Sequence, residues 1–191
     1  MERSIAPLTI PQARQIYLTR MTEDFPPDEL KPWFAIHSRL LRGEYACLGL
    51  YEDQALAGYA FFAFLRDAQG RRNALFDYFA MLPALRGRGL GGDFLHRLSA
   101  SMSDTSRVIL EAENPDYADD AADRALRRRR LDFYLRNGMA DTGVEARIYG
   151  VEYRILAFPP APDADETRQL LSAFYHSFFP PLLYRQKVCI R

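Results

Sequence analysis

The sequence has few of the side chains that usually bind metals or form disulfides. Its 191 residues include two cysteines, Cys47 and Cys189, and three histidines that are scattered without the spacing of metal ligands. Both cysteines lie in apolar, strand-like segments, so we expect two reduced, buried thiols in a reducing compartment. The sequence therefore predicts no metal site and a cytoplasmic protein.

The sequence also lacks an excess of charge and a long hydrophobic run. Its 25 basic residues balance 25 acidic ones, so no overall basic field favours a nucleic-acid partner. The arginine-rich stretch 124–130 follows the acidic stretch 116–123, which is typical of a solvated helix with internal charge pairing. No segment approaches the roughly 20 apolar residues of a membrane span, and the first residues do not resemble a signal peptide. We therefore expect no nucleic-acid and no membrane partner.

The residues that are present predict one domain over 1–191 with mixed strands and helices. Strand-like segments joined by short turns predict an antiparallel meander at 44–50, 55–65 and 74–82. Further strands are predicted at 107–112, 143–149, 151–158 and 185–190. Helices are predicted at 11–21, 28–42 (capped by Asp28), 90–102, 116–137 and 164–178. Because the early strands are joined as hairpins, we expect an α+β or mixed α/β layer and not a regular βα repeat.

A glycine-rich segment, RGRGLGG at 86–92, joins a predicted strand to a predicted helix. The first-turn amides of a helix lack partners within the helix, and the helix dipole is positive there. Glycines let an anionic group such as a diphosphate reach these amides without meeting a Cβ atom. The segment therefore predicts an anion-binding loop, although a glycine-rich turn without a ligand has the same composition.

A dinucleotide site is one interpretation of this loop. Gly87, Gly89 and Gly92 have the spacing G-x-G-x-x-G, and Glu111 ends the next predicted strand, near where a ribose-binding acid belongs. The context argues against it, because five residues separate Met81 from Gly87 and no further βαβ units follow. An NAD(P)-binding protein is therefore the weaker alternative.

In another register the loop reads Arg86-x-x-Gly89-x-Gly91, which resembles the acyl-CoA loop of the GNAT (Gcn5-related) N-acetyltransferases. Two later segments resemble the same family in the same order, the strand VILEAEN at 108–114 and the helix end RRLDFYLRNGM at 129–139. The resemblance covers about residues 44–158 and leaves 159–191 as a C-terminal extension. It implies the GNAT fold, a mostly antiparallel, mixed sheet flanked by helices on both faces.

The resemblance also implies a cosubstrate, acetyl-CoA, and the residues that bind it. The pantetheine arm would pair with the strand end at Phe79, Ala80 and Met81, where a backbone amide would also face the thioester oxygen. Arg86 and Arg88 would add positive charge beside the diphosphate. The diphosphate would lie on the consecutive amides of Gly87, Arg88, Gly89, Leu90, Gly91 and Gly92. The implied reaction is direct transfer of an acetyl group to a primary amine in a ternary complex.

Direct transfer needs an acid for the leaving thiolate and, in some members of the family, a base for the amine. Tyr134 stands where the family carries its general acid, and a tyrosine with a pKa of about 10 is protonated at neutral pH. A core tyrosine beside Phe133 is the alternative. For the base we rank Glu111 first, Asp77 second and Glu113 third, and the remaining alternative is that no residue acts as the base.

The acceptor side of the predicted site is less defined. Trp33 on the second predicted helix could line the acceptor cleft with Asp77 and Glu113, or it could belong to the core. We expect the acceptor to be a small-molecule or peptide amine. A non-catalytic acyl-CoA-binding module is the alternative from another functional class. The aromatic-rich extension 159–191 could pack on the sheet or form a homodimer contact.

Overall fold

A computed structural model of the protein describes residues 2–27 and 29–191. The backbone divides into two compact units. The first unit comprises the chain up to Gly70 together with Phe76–Asp104, and the second comprises Arg71–Leu75 and Thr105–Arg191. The chain is a mixed α/β protein whose strands are mostly antiparallel, which confirms the predicted fold class.

The strands of the first unit are β1 (Arg3–Pro7), β2 (Tyr45–Glu52), β3 (Ala55–Arg66) and most of β4 (Arg72–Met81), and they lie in that order. β1 pairs antiparallel with β2, and β2 pairs antiparallel with β3. The tight turn between β2 and β3 holds Asp53 and Gln54 at positive φ, as hairpin turns with a twist matching the strands require. β1 was not predicted, because a five-residue edge strand is stabilised by pairing with β2 and has no local pattern of its own.

The helices of the first unit are α1 (Ile10–Ile16), which continues through a π-helical segment (Tyr17–Met21) into α2 (Thr22–Asp24), and α3 (Trp33–Leu41) and α4 (Leu90–Ser101). Thr9 and Gln12 form a capping box that begins α1. α3 begins later than the predicted position 28, and the predicted cap Asp28 lies outside the described residues. Pro32 has an extended ψ of 140°, and the backbone before it bonds to side chains, so the helix cannot extend backwards through it.

The strands of the second unit are β5 (Arg107–Glu113), β6 (Ala140–Ile148), β7 (Val151–Ala157) and β8 (Val188–Ile190). Their order is β5-β7-β6-β8, and each of the three neighbouring pairs is antiparallel. The predicted strand at 185–190 is wrong in its first half, because a helix beginning at Pro181 continues to Lys187. The thiol of Cys189 is exposed on the short edge strand β8, so the prediction that both thiols are buried holds only for Cys47.

The helices of the second unit are α5 (Ala121–Arg136), α6 (Ala164–Phe178) and α7 (Pro181–Lys187). α5 starts later than predicted, because Asp120 caps it and a 3-10 turn occupies Pro115–Tyr117. α5 packs on β5 and α6 packs on β6, so the extension contributes to the core of its own unit. No helix within the described residues is both long and apolar enough to cross a membrane.

Candidate functional site

The glycine-rich loop joins β4 to α4 through a 3-10 turn at Pro83–Leu85. Gly87 and Gly89 both have a φ of +77°, which side-chain-bearing residues rarely adopt, and open space surrounds the position of a Cβ at each. Gly89 is the N-cap of α4, and among the described residues no side chain caps this helix. The loop therefore offers open peptide nitrogens at the positive end of a twelve-residue helix, which fits a diphosphate group.

The two arginines of the loop differ in how firmly they are held. Arg86 donates from Nε to the carbonyl of Met81 at 2.9 Å, and its Nη2 donates to Asp24 on α2. Arg88 is half-exposed, and its guanidinium lies 3.8 Å from the carboxylate of Glu52. Arg86 is thus fixed by neighbours inside the first unit, whereas the ion pair of Arg88 with Glu52 is loose.

The end of β4 approaches its neighbour β3 very closely. A Cβ on Gly58 would stand 2.6 Å from the carbonyl oxygen of Ala80, so only glycine fits there. The amide of Leu82 donates to the carbonyl of Ala57 at 2.9 Å, which continues the contact beyond the strand. Phe79, Ala80 and Met81, the predicted pantetheine partners, are half-buried at this strand end.

Asp77, the second-ranked base, forms a buried charged cluster in the first unit. Its side chain is 2% exposed and accepts from Lys31 Nζ at 2.5 Å and from the Tyr45 hydroxyl at 2.5 Å. Burial first, and then the charge of Asp77, raises the pKa of Tyr45 well above its usual value, so this hydroxyl remains a donor. To act as a base, Asp77 would have to give up one of these partners.

Trp33 belongs to an aromatic group beside this cluster. Its ring lies 5.5 Å from that of Tyr17 and stacks on that of His37 at 5.9 Å. The Tyr17 hydroxyl donates to the backbone carbonyl of Lys31, so these aromatic side chains are joined to the residue whose ammonium pairs with Asp77. Trp33 is half-buried at the first turn of α3, and its part in acceptor binding stays a prediction.

Tyr134 lies in the last turn of α5, in the second unit. Burial raises the pKa of Tyr134 to about 12, and the positive charge of Arg130 acts in the opposite direction. Gly138, at φ +91°, ends the helix as predicted, and the amide of Met139 donates back to the Tyr134 carbonyl. The helix end therefore holds the Tyr134 backbone in place, and its phenol is protonated at neutral pH.

Glu111 and Glu113 lie two residues apart on β5 but have different partners. Glu111 accepts a hydrogen bond of 2.6 Å from the hydroxyl of Tyr175 on α6. Glu113 accepts from Arg130 and lies 3.4 Å from Arg127. Glu113 thus pairs with arginines of α5, whereas one partner of Glu111 comes from the C-terminal extension.

Tyr175 was missed by the sequence analysis. It lies on the buried face of α6 with Leu171 and Phe174, and a hydroxyl on such a face needs a partner. A tyrosine at an apolar helix position therefore indicates a buried hydrogen-bond partner elsewhere in the chain.

The predicted charge pairing inside α5 is confirmed for Arg127 and Asp123. Among the described residues, no group of three or more His, Cys, Asp or Glu side chains could hold a metal ion.

A sequence model of the Acetyltransferase (GNAT) family matches residues 10–130, which is more than half of the chain. The chain belongs to the GNAT acetyltransferase family. This result confirms the family suggested by the loop, strand and helix-end motifs. It also makes the NAD(P) interpretation of the same glycines the poorer one. No curated protein matches this GNAT chain at a significant level.

Solved structures similar to this GNAT chain share its fold at low sequence identity. A GNAT-family protein from Bacteroides thetaiotaomicron has a TM-score of 0.69 and 19% identity, over 91% of this chain and 96% of its own. The ribosomal-protein-S18-alanine N-acetyltransferase from Escherichia coli has a TM-score of 0.58 and 18% identity, over 84% and 96%. Arabidopsis thaliana Naa50, in complex with the bisubstrate analogue CoA-Ac-MVNAL, has a TM-score of 0.60 and 12% identity, over 82% and 98%.

Proposed function

We propose that this GNAT protein transfers an acetyl group from acetyl-CoA to a primary amine in a ternary complex. The observation that carries the proposal is the open, left-handed glycine loop at the uncapped N-terminus of α4, within residues that match the family. The bisubstrate analogue in the Arabidopsis thaliana relative supports a donor and an acceptor bound together. The acceptor is a small-molecule or peptide amine. A cytoplasmic location, a single domain and a homodimer contact stay predictions.

Residues of the first unit would hold the coenzyme. The amides of residues 87–92 would donate hydrogen bonds to the diphosphate, and the exposed guanidinium of Arg88 would add charge beside it. The strand end at Phe79, Ala80 and Met81 would lie along the pantetheine arm. A backbone amide at that strand end would donate to the thioester oxygen.

Tyr134 would be the general acid. Acetyl-CoA, when bound, supplies the acetyl group as a thioester, whose carbon–sulfur bond breaks as the amine nitrogen bonds to the acetyl carbon. Because the pKa of Tyr134 is about 12, its phenol carries a proton at neutral pH and can give it to the leaving sulfur. The alternative role, a tyrosine that only packs in the core, predicts no effect on turnover when the hydroxyl is removed.

Glu111 remains our first choice for the base. The resemblance to the family implies a base on this strand, and the Tyr175 hydroxyl is one hydrogen-bonding partner of Glu111, whereas both Asp77 and Glu113 bond to ammonium or guanidinium groups. A carboxylate that must give up a cation in order to accept a proton is a weaker base. The other proposed role for Asp77 and Glu113 is on the acceptor side of the site.

Binding and turnover measurements separate the alternatives. Calorimetric titration should show acetyl-CoA binding and no NADH binding, and the reverse would favour the dinucleotide interpretation. Release of CoA over a panel of polyamines, amino acids and peptides should identify an acceptor, and binding without release from any amine would favour a non-catalytic acyl-CoA module. Tyr134→Phe should lower turnover by about 100-fold or more with acetyl-CoA binding intact. Near-wild-type turnover would remove Tyr134 from the mechanism.

A further inference from the structure

Arg86, the first residue of the glycine loop, is part of a hydrogen-bonded chain that starts in α2. Its Nε donates to the carbonyl of Met81, the last residue of β4, at 2.9 Å. Its Nη2 donates to Oδ1 of Asp24, the last residue of α2. One guanidinium therefore links α2, the end of β4 and the start of the loop, all within the first unit.

Asp24 is held from a second side. Its side chain is 6% exposed, and its Oδ2 accepts a hydrogen bond of 2.8 Å from Tyr59, which is fully buried on β3. Burial first, and then this hydrogen bond, raises the pKa of Tyr59, so the hydroxyl stays a donor to the carboxylate. A carboxylate this buried is stable only with its partners in place, which makes release of Arg86 unfavourable.

We propose that Asp24 is a positioning residue for coenzyme binding: it holds Arg86 against the Met81 carbonyl and so fixes the strand end on which the pantetheine arm would lie. The inference rests on the proposed acetyl-CoA function. Arg86 then does not bind the diphosphate, and the loop amides and Arg88 do so. In this arrangement a residue of the short helix α2 controls coenzyme affinity through two hydrogen bonds, without touching the coenzyme.

Two ligands distinguish this role from direct binding of phosphate by Arg86. Coenzyme A contains the diphosphate, whereas pantetheine lacks it and keeps the arm. The dissociation constants of both ligands are measured for wild type, Asp24→Asn, Arg86→Gln and the double variant, by calorimetry for coenzyme A and by NMR titration for pantetheine. Arg88→Gln serves as the comparison for a diphosphate contact. Asp165→Asn breaks an exposed carboxylate–arginine pair within α6 and serves as the matched control.

The expected result is that Asp24→Asn and Arg86→Gln each weaken both ligands by about three- to tenfold, the range that loss of one hydrogen bond gives. The double variant should be no weaker than either single variant, because both changes break the same link. Arg88→Gln should weaken coenzyme A alone, and Asp165→Asn should change neither ligand. Tyr59→Phe keeps the carboxylate and removes one of its donors, so it should give the same pattern at smaller size even where Asp24→Asn folds poorly.

Three outcomes would overturn the positioning role. Arg86→Gln could weaken coenzyme A and spare pantetheine, Asp24→Asn could tighten coenzyme A by releasing Arg86 to the phosphates, or neither variant could change either ligand. Each of these would still leave wild-type binding in place, so the proposed function would stand. A wild-type protein that binds no coenzyme A would instead refute the proposed function, and the positioning role with it.

Discussion

Replacing Lys31 with methionine should destabilise the protein more than replacing its partner Asp77 with asparagine. The Asp77 side chain is 2% exposed, whereas the Lys31 side chain is 19% exposed. Lys31→Met leaves a buried negative charge that keeps the Tyr45 hydroxyl as a donor. Asp77→Asn leaves an ammonium group on a flexible stem that can turn towards water. The more buried charge is therefore the more costly one to leave without its counter-ion.

The two costs follow from how each remaining group is solvated. Removing one partner of a buried ion pair costs about 3–5 kcal/mol, and the limited exposure of this pair places the cost of Lys31→Met at about 3 kcal/mol. Asp77→Asn keeps an oxygen that accepts from Tyr45, so the loss is closer to that of one hydrogen bond to a charged group, about 1.5–3 kcal/mol. The expected difference between the variants is up to about 1.5 kcal/mol.

Urea unfolding at neutral pH measures this difference directly. Both variants should lower the midpoint with an unchanged dependence on urea concentration. Lys187→Met is the matched control, because Lys187 is exposed and the change should cost less than about 0.5 kcal/mol. An Asp77→Asn cost that equals or exceeds that of Lys31→Met would refute the argument from burial, as would two costs no larger than the control.

Three further predictions test the loop, the acid and the base. Gly89→Ala and Gly43→Ala should each cost about 1 kcal/mol of stability, because their φ angles are +77° and +69°. Only Gly89→Ala should weaken coenzyme A binding in calorimetry. Equal affinities of the two variants for coenzyme A would contradict the assignment of the loop. Between about pH 10 and 12 the folded chain keeps the Tyr134 proton that the unfolded chain loses, so the free energy of unfolding should fall as pH rises. Urea unfolding of Tyr134→Phe should show a smaller fall over this range. A fall equal to that of wild type would contradict the burial of the Tyr134 phenol. Glu111→Gln should lower kcat by about 100-fold in a CoA-release assay. Glu113→Gln should leave kcat unchanged and cost about 1 kcal/mol of stability in an unfolding assay. The opposite pattern would make Glu113 the base.

Local signals predicted most of the secondary structure. The helix predicted at 164–178 is α6 at Ala164–Phe178, because the Asp163 cap and the spacing of its apolar residues are both encoded within the segment. β1 was not predicted, because its stability comes from a partner strand far along the chain. α3 was predicted too early, because helical spacing continues through a proline that the backbone cannot follow.

The sequence could predict which residues belong to the candidate site, but not which residues form hydrogen bonds or ion pairs with them. The glycine loop was visible because left-handed backbone and close approach both require glycine, which is a local demand. The partners of the carboxylates were not visible, since Asp77 and Lys31 are 46 residues apart and Glu111 and Tyr175 are 64 residues apart. Only the fold brings such pairs together, so the partners of the three carboxylates could not be read from the sequence.

The bond from Tyr175 to Glu111 connects the segment that the family model matches, residues 10–130, to a helix outside it. Relatives that lack α6 cannot form this hydrogen bond to a glutamate at this position. The two positions should thus covary among homologues. A chain that ended before α6 would lack the hydrogen bond from Tyr175, so the Glu111 carboxylate would have a different environment although no residue of the matched segment had changed.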